Sequence, residues 1–421
     1  MKKIDPKTFF VSLYDAAIAA ADPARVIGSH LPPKPVGRTI VVGAGKGSAQ
    51  MAKAFEDVWD GPLEGLVVTR YDYAVPCRSI EVIEAAHPVP DEAGLEGARR
   101  LLETVSGLSQ DDLVVALVSG GGSALLPAPA GSLTLDDEIA VNQALLASGA
   151  PISAMNTIRK HVSAIKGGRL AAAAWPANVV TLLVSDIPGD RPSLVSSGPT
   201  VPDASTRQDA LRLIETWRIA LPEAVMNHLR SPDADAPHPG DARFIRNEVH
   251  IIASAAVSLE AAAQAARSQG IEAVILSDAI EGEAREVGSV HAAIAREVAL
   301  KDRPFRRPVV ILSGGETTVT LRGKGKGGRN TEFLLSLALG IDGVEGVHAF
   351  AADTDGIDGS QDNAGAFADF TTVSRLRSAG MDPRALLGDN DAWTAFEAIG
   401  DLFVPGPSGT NVNDLRAVLV R

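Results

Sequence analysis

The sequence predicts an α/β fold with mainly parallel sheets, on three observations. Short β-branched runs alternate with alanine-rich helical stretches along most of the chain. The runs are apolar without interruption, as strands covered on both faces are. Glycine clusters follow several of them, at the strand ends where open α/β sheets bind ligands. In order, the runs are "RTIVVGAG", "EGLVVTR", "DLVVALVSG", "VVTLLVSD", "EVHIIAS", "EAVILSD", "RPVVILSGG", "VHAFAAD" and "DLFVPG". A chain of 421 residues has room for two large domains. "SPDADAPHPGDARFIRN", Ser231 to Asn247, interrupts the alternation with proline, aspartate and glycine. It is the expected boundary between domains at 1–235 and 245–421.

Composition narrows the function. A net charge of −13 argues against nucleic acid or an anionic membrane as partner. An anionic small substrate would need a local basic cleft. Cys77 is the only cysteine, which rules out an intrachain disulfide framework and a multi-cysteine zinc site. Phe9, Leu13, Ala16, Ala17 and Ala20 fall at helical spacing, and Asp5, Asp15 and Asp22 break any signal-like apolar stretch. No run approaches the roughly 20 apolar residues of a membrane span. A cytoplasmic protein is expected.

The first glycine turn is "VVGAGKGSAQMAKAFE". Gly43, Gly45 and Gly47 precede a helix start, which favours an anion. The dinucleotide fingerprint fails, because Ser48 stands where the third glycine belongs. The next strand ends in Thr69 and Arg70, not in an acid for a ribose. The P-loop pattern fails too, since Gly47 follows Lys46. What is left is a lysine on a glycine turn, suited to neutralising a phosphate.

Four further stretches carry candidate chemistry. In "SGGGSALLP", Gly120, Gly121 and Gly122 can aim backbone amides at an anion, with Ser119 and Ser123 as hydroxyl donors. In "NTIRKHVSAIKGGRLA", Arg159, Lys160 and Lys166 make a basic helix face for a carboxylate or phosphate. In "SDIPGDRPSLVSSGPTVPD", Asp186 and Asp190 follow a buried strand and could hold Mg²⁺ or take a hydroxyl proton. "SGGETTVTLRGKGKGGRNTEF" reads as a strand pair leading to a basic glycine loop, the densest anion signal in the chain. In "AADTDGIDGSQDNAGA" an EF-hand fails on Ile357 and on its glycine spacing, which leaves one carboxylate for a nucleotide-bound Mg²⁺.

These motifs, in this order, resemble those of the MOFRL-type glycerate 2-kinases, whose members have also been labelled hydroxypyruvate reductases. The resemblance runs from "VVGAGKG" to "NVNDL". It implies two Rossmann-like α/β/α domains, an N-terminal one of glycerate kinase type and a C-terminal MOFRL-type one, with the active site in the cleft between them. It implies ATP, Mg²⁺ and phosphorylation of the 2-hydroxyl of D-glycerate. It also implies that Lys46 and Arg329 are catalytic; since they fall in different domains, closure of the cleft is expected to bring both charges to the phosphate and to exclude water. Asp186 and Asp190 are assigned to the hydroxyl or the metal, and Asp355 to the metal. Arg159, Lys160 and Lys166 would hold the glycerate carboxylate beside the nest of Ser119, Gly120, Gly121, Gly122 and Ser123. Lys166→Ala should then raise the glycerate KM selectively. Gly43, Gly45 and Gly47, with Gly314, Gly315, Glu316, Lys324, Gly325, Gly327, Gly328 and Asn330, are assigned to ATP. A homodimer is compatible with the resemblance.

Two rival functions remain at this stage. An NAD(P)H-dependent hydroxypyruvate reductase would need the fingerprint that fails at Ser48 and Thr69. A sugar-phosphate binding module would need the anion loops but not Lys46 together with Arg329.

Overall fold

The computed structural model describes residues 5–187 and 189–421. The chain divides into two compact units, Pro23–Ile252 and a second built from the N-terminal helix with Ala253–Arg421. This corrects the expected division at 1–235 and 245–421 in two places. The helix Pro6–Ala21 belongs with the C-terminal part, because Phe9, Phe10, Leu13 and Tyr14 bury themselves among Leu259, Ile271, Phe350 and Leu415. The proline-rich stretch stays with the first unit, which runs on to Ile252.

The first unit carries a six-stranded sheet: β1 (Thr39–Ala44), β2 (Glu64–Arg70), β3 (Ile80–Ala85), β4 (Leu113–Val118), β5 (Asn178–Val184) and β6 (Glu248–Ala253). Their spatial order is β3-β2-β1-β4-β5-β6. Every registered pair, from β3–β2 through β4–β5, is parallel. Strands β1 and β4 are buried at every residue, as uninterrupted apolar runs require when helices cover both faces. The order reverses between β1 and β4, and ligands of doubly wound sheets bind at such a reversal. The two N-terminal glycine turns leave the carboxyl ends of these two strands. A small helical layer, with Val141, Leu145, Ile158, Val225 and Leu229 at its centre, completes the unit.

The second unit holds β7 (Glu272–Ile275), β8 (Gly282–Glu283), β9 (Val309–Ser313), β10 (Thr317–Thr318), β11 (Val347–Asp353), β12 (Gly365–Asp369), β13 (Leu402–Phe403) and β14 (Asp414–Val420). Six form a sheet in the order β13-β12-β11-β14-β9-β7. Here the expectation of parallel pairing holds only for β7–β9. The pairs β9–β14, β14–β11, β11–β12 and β12–β13 are antiparallel. An uninterrupted apolar run reports burial on both faces, not strand direction, and β11 returns to β12 through a loop with no crossover helix. The expected strand pair around "ETTVTL" shrinks to β10, two residues paired parallel with β8. No helix among the described residues is long and apolar enough to cross a membrane.

Candidate active site

Each of the first five strands delivers one element of a single locus in the first unit. After β1, Gly45 turns at φ 140° with its α-carbon so near Ser119 that a Cβ would lie 2.2 Å from the Ser119 Oγ. The Lys46 amide donates to the Gly120 carbonyl at 2.8 Å, and the Gly47 amide to Ser119 Oγ at 2.9 Å. These bonds staple the turns after β1 and β4 side by side. Gly47 then opens the helix Ser48–Val58, which has no side-chain cap. Gly43 differs from its assignment. It lies inside β1, and a Cβ there would strike the Leu117 carbonyl oxygen at 2.2 Å, so it serves strand packing.

The triple-glycine turn is walled by side chains. A Cβ on Gly120 would sit 1.8 Å from Asp186 Oδ2. One on Gly121, at φ 84°, would meet Lys46 Cγ at 3.1 Å and His87 Nε2 at 3.2 Å. Lys46 pairs with no carboxylate among the described residues. Arg70, at the end of β2, lies over the Tyr73 ring, 4.4 Å from its centroid. Burial, with Lys46 and then Arg70, pushes the His87 imidazole down to about 4, so it is neutral at pH 7. The locus therefore offers an anion two cations, Lys46 and Arg70, with the Asp186 carboxylate at its Gly120 side.

Part of the expected nest is used internally. The Gly122 amide donates to Ser196 Oγ at 3.0 Å, and Ser196 Oγ donates to the Ser119 carbonyl at 2.5 Å. Ser123 and Ser197 share a hydrogen bond of 2.7 Å. Ser196, Ser197 and Gly198 hold φ values of 52°, 59° and 58°. The two serines store strain in this left-handed conformation, which Gly198 adopts freely, and they prop the glycine turn from beneath. Gly120 and Gly121 remain with amides that donate to no other described residue.

The basic helix face is corrected. Lys166 is 1 % exposed and bonds Glu138 Oε1 at 2.5 Å and the Leu126 carbonyl at 2.9 Å. Lys160 is fully buried against Asp203, whose charge partly offsets the burial that pushes the Lys160 ammonium down. Both are interior ion pairs, with their charges already compensated by Asp203 and Glu138. Only Arg159 has no carboxylate partner among the described residues. It donates to Asn142 Oδ1 at 2.9 Å and Asn156 Oδ1 at 3.2 Å. Asp190 lies on the same loop as Asp186, in a left-handed conformation at φ 48°.

In the second unit Arg329 begins the helix Arg329–Gly340 and meets three carboxylates. These are Asp353 at 2.5 Å, Asp414 at 2.8 Å and Glu316 at 3.1 Å. Burial works against the guanidinium's charge, but Asp414, Asp353 and Glu316 outweigh it and hold the group above its ordinary value. Asp414 also binds Arg416, which is 1 % exposed and donates to the carbonyls of Gly314 and Gly315. Those two glycines thus supply carbonyls to an arginine here. Asn330 is buried and donates to Asp414 at 2.8 Å. The helix is capped by Asp358, which accepts from the Asn330 and Thr331 amides at 2.9 Å each.

The basic glycine loop is also corrected. Its amides at Arg322 and Gly323 donate to Asn390 Oδ1, those at Lys324 and Gly325 to Asp389, and that at Lys326 to Asp391. A Cβ on Gly325 would lie 2.3 Å from Asp391 Cβ, and one on Gly328 2.3 Å from Asp358 Oδ1. The glycines let the loop lie against these turns, and its amides do not form a phosphate nest. Gly325, Gly327, Gly328, Arg329 and Glu332 line a cavity of about 250 Å³. Among the described residues no three His, Cys, Asp or Glu side chains converge as a metal site. Asp355 accepts from the Ile357 amide at 2.9 Å, as a turn residue does.

Comparison with known proteins fits this geometry. A profile described as a domain of unknown function, DUF4147, matches residues 9–230, and the MOFRL family profile matches residues 309–414. The D-glycerate 2-kinase of Thermotoga maritima is 40% identical over 98% of both chains. The chain belongs to the MOFRL-type glycerate 2-kinase family. The glycerate 2-kinase of Pyrococcus horikoshii is 38% identical, covering 100% of this chain and 98% of that one. A crystal structure of a Thermotoga maritima glycerate kinase superposes with a TM-score of 0.91 at 39% identity, over 99% of each chain. A protein of Agrobacterium vitis with a provisional hydroxypyruvate reductase name is 54% identical over 97% of this chain and 93% of its own.

Sequence reading missed His87, Ser196 and Ser197. His87 lies two residues beyond β3, the run "IEVIEA", whose alternating charges hid it among polar segments. Recognised as a strand, it would have placed His87 at a carboxyl end.

Proposed function

We infer that the protein is a glycerate 2-kinase, transferring the γ-phosphoryl group of ATP to the 2-hydroxyl of D-glycerate to give 2-phospho-D-glycerate and ADP. One observation carries the reading most. A chain related over its full length to two glycerate 2-kinases holds Lys46, with no carboxylate partner among the described residues, at the reversal point of its parallel sheet. Phosphoryl transfer demands charge neutralisation and alignment more than covalent chemistry. Lys46 and the Gly120 and Gly121 amides supply the first, with Arg159 the remaining candidate for the glycerate carboxylate. Arg329 is proposed as the second catalytic cation. Asp186 and Asp190 are of the type that hold Mg²⁺ together with phosphates, one or two carboxylates sufficing. Mg²⁺ would neutralise the triphosphate and polarise the γ-phosphorus.

The geometry gives the reductase reading little support. Ser48 fills the third-glycine position with its Oγ donating to the Leu117 carbonyl at 3.0 Å. Thr69, fully buried, turns its Oγ1 to the Lys46 carbonyl at 3.3 Å, so β2 presents no acid for a ribose. The deciding assay is ADP release from ATP, Mg²⁺ and D-glycerate with product passed to enolase without a mutase. Immediate enolase turnover is expected. ADP release without it would move the phosphate to the 3-hydroxyl, and NAD(P)H oxidation by hydroxypyruvate without ADP release would restore the reductase.

A further inference from the structure

We propose that His87 is a catalytic residue, its Nε2 taking the proton of the acceptor hydroxyl beside Lys46 during phosphoryl transfer. The inference rests on the glycerate kinase reading. Three observations support it. The ring meets the face of Gly121 that Lys46 also meets, with Nε2 as the nearest ring atom. Neither ring nitrogen hydrogen-bonds another described residue, although the side chain is half-buried. Burial first, then the positive charges of Lys46 from the turn after β1 and Arg70 from the end of β2, keep the ring unprotonated, the form that accepts.

The chemistry favours a neutral base at this point. The acceptor carries a carboxylate and the donor a triphosphate. An imidazole accepts the proton without adding a further negative charge beside these anions. Bound anions would also offset Lys46 and Arg70 and raise the ring's proton affinity as the substrates arrive. In the step, the 2-hydroxyl oxygen bonds the γ-phosphorus and the bond from that phosphorus to the β,γ-bridging oxygen breaks. The electron pair leaves with ADP, the hydroxyl proton passes to Nε2, and from there to water.

The test is single-turnover phosphorylation of D-glycerate by wild type, His87→Gln and His87→Ala, with and without added imidazole. The expected result is a fall of about 100-fold or more in the rate for both variants, with the glycerate KM within about threefold and partial recovery of His87→Ala by imidazole. Recovery by a free base separates proton transfer from a packing role, and two side chains of different size guard against one that fails to fold. Variant rates within threefold of wild type would overturn the proposal. So would a loss confined to KM, or a loss that imidazole does not relieve. If wild type itself forms no phosphoglycerate, the kinase reading fails, an outcome separate from these.

Discussion

Lys46 and Arg329 both sit where a glycine-rich turn enters a helix, yet their surroundings are opposite. Lys46 has no carboxylate partner among the described residues, and its charge and that of Arg70 both act on a neutral histidine, His87. Arg329 is held by Glu316, Asp353 and Asp414, and Asp414 is itself shared with the buried Arg416. The first site leaves a lysine outside any ion pair among the described residues, ready for an anion. The second is an alternating ion network in which acids outnumber arginines. A motif rich in lysine, arginine and glycine therefore does not by itself make an anion site. What matters is which charges remain uncompensated after folding.

Substituting both cations breaks the comparison most sharply. Arg329→Ala leaves the buried Asp353 without its counter-charge, while Asp414 keeps Arg416, and should cost about 3–5 kcal/mol of stability, together with activity. Lys46→Ala should lower kcat by about 10²–10³-fold, the usual loss for one transition-state charge, while the thermal midpoint stays near that of wild type. Equal losses of midpoint in the two variants would show that the contrast in charge compensation is unreal.

Lys166→Ala tests the revised role of the basic helix. It should cost about 3–5 kcal/mol in chemical denaturation, because Glu138 is left buried and unpaired. The glycerate KM of the remaining folded enzyme should change little. A selective rise in that KM would return Lys166 to the substrate site.

Asp358 supplies a smaller effect. Burial, opposed by the Asn330 and Thr331 hydrogen bonds, raises its carboxyl to about 6 from an ordinary 3.8. The folded state thus holds a proton that the unfolded chain has lost. The stabilisation from that proton is complete below about pH 4 and disappears as pH rises through 6, a change of up to about 3 kcal/mol. Asp358→Asn should remove this slope from the difference in unfolding free energy between pH 4.5 and 7. An unchanged slope would place the titration elsewhere. The smallest effect is expected for Gly121→Ala, where a left-handed φ costs about 1–2 kcal/mol and the new methyl presses on Lys46 and His87. Its kcat should fall further than its stability predicts, and unchanged kcat would count against a reactive centre at this turn.

The glycine turns show how far sequence reaches. "GAGKGS" and "SGGGS" were legible because each follows an uninterrupted apolar run, and the structure sets them at adjacent strand ends, stapled by the Lys46 and Gly47 amides. "GKGKGG" reads the same way, yet its amides are spent on residues 389–391, a contact more than 60 residues away in sequence. Lys160 and Lys166 fall on one helix face by spacing, but spacing is silent about Asp203 and Glu138, which lie on other elements.

The sequence alone determined the α/β class, most strands of the first sheet, the failure of the dinucleotide and P-loop patterns, and the family, but not β3, β12 or the central, wholly buried β14. All of these depend on local periodicity and on residues close together in the chain. Tertiary structure alone decided the antiparallel pairing of the second sheet, the attachment of the first helix to the C-terminal unit, and the compensation of each charge. Strand direction, docking and ion pairing are fixed by contacts between distant segments, and the free energy of a charge depends on what folding places beside it.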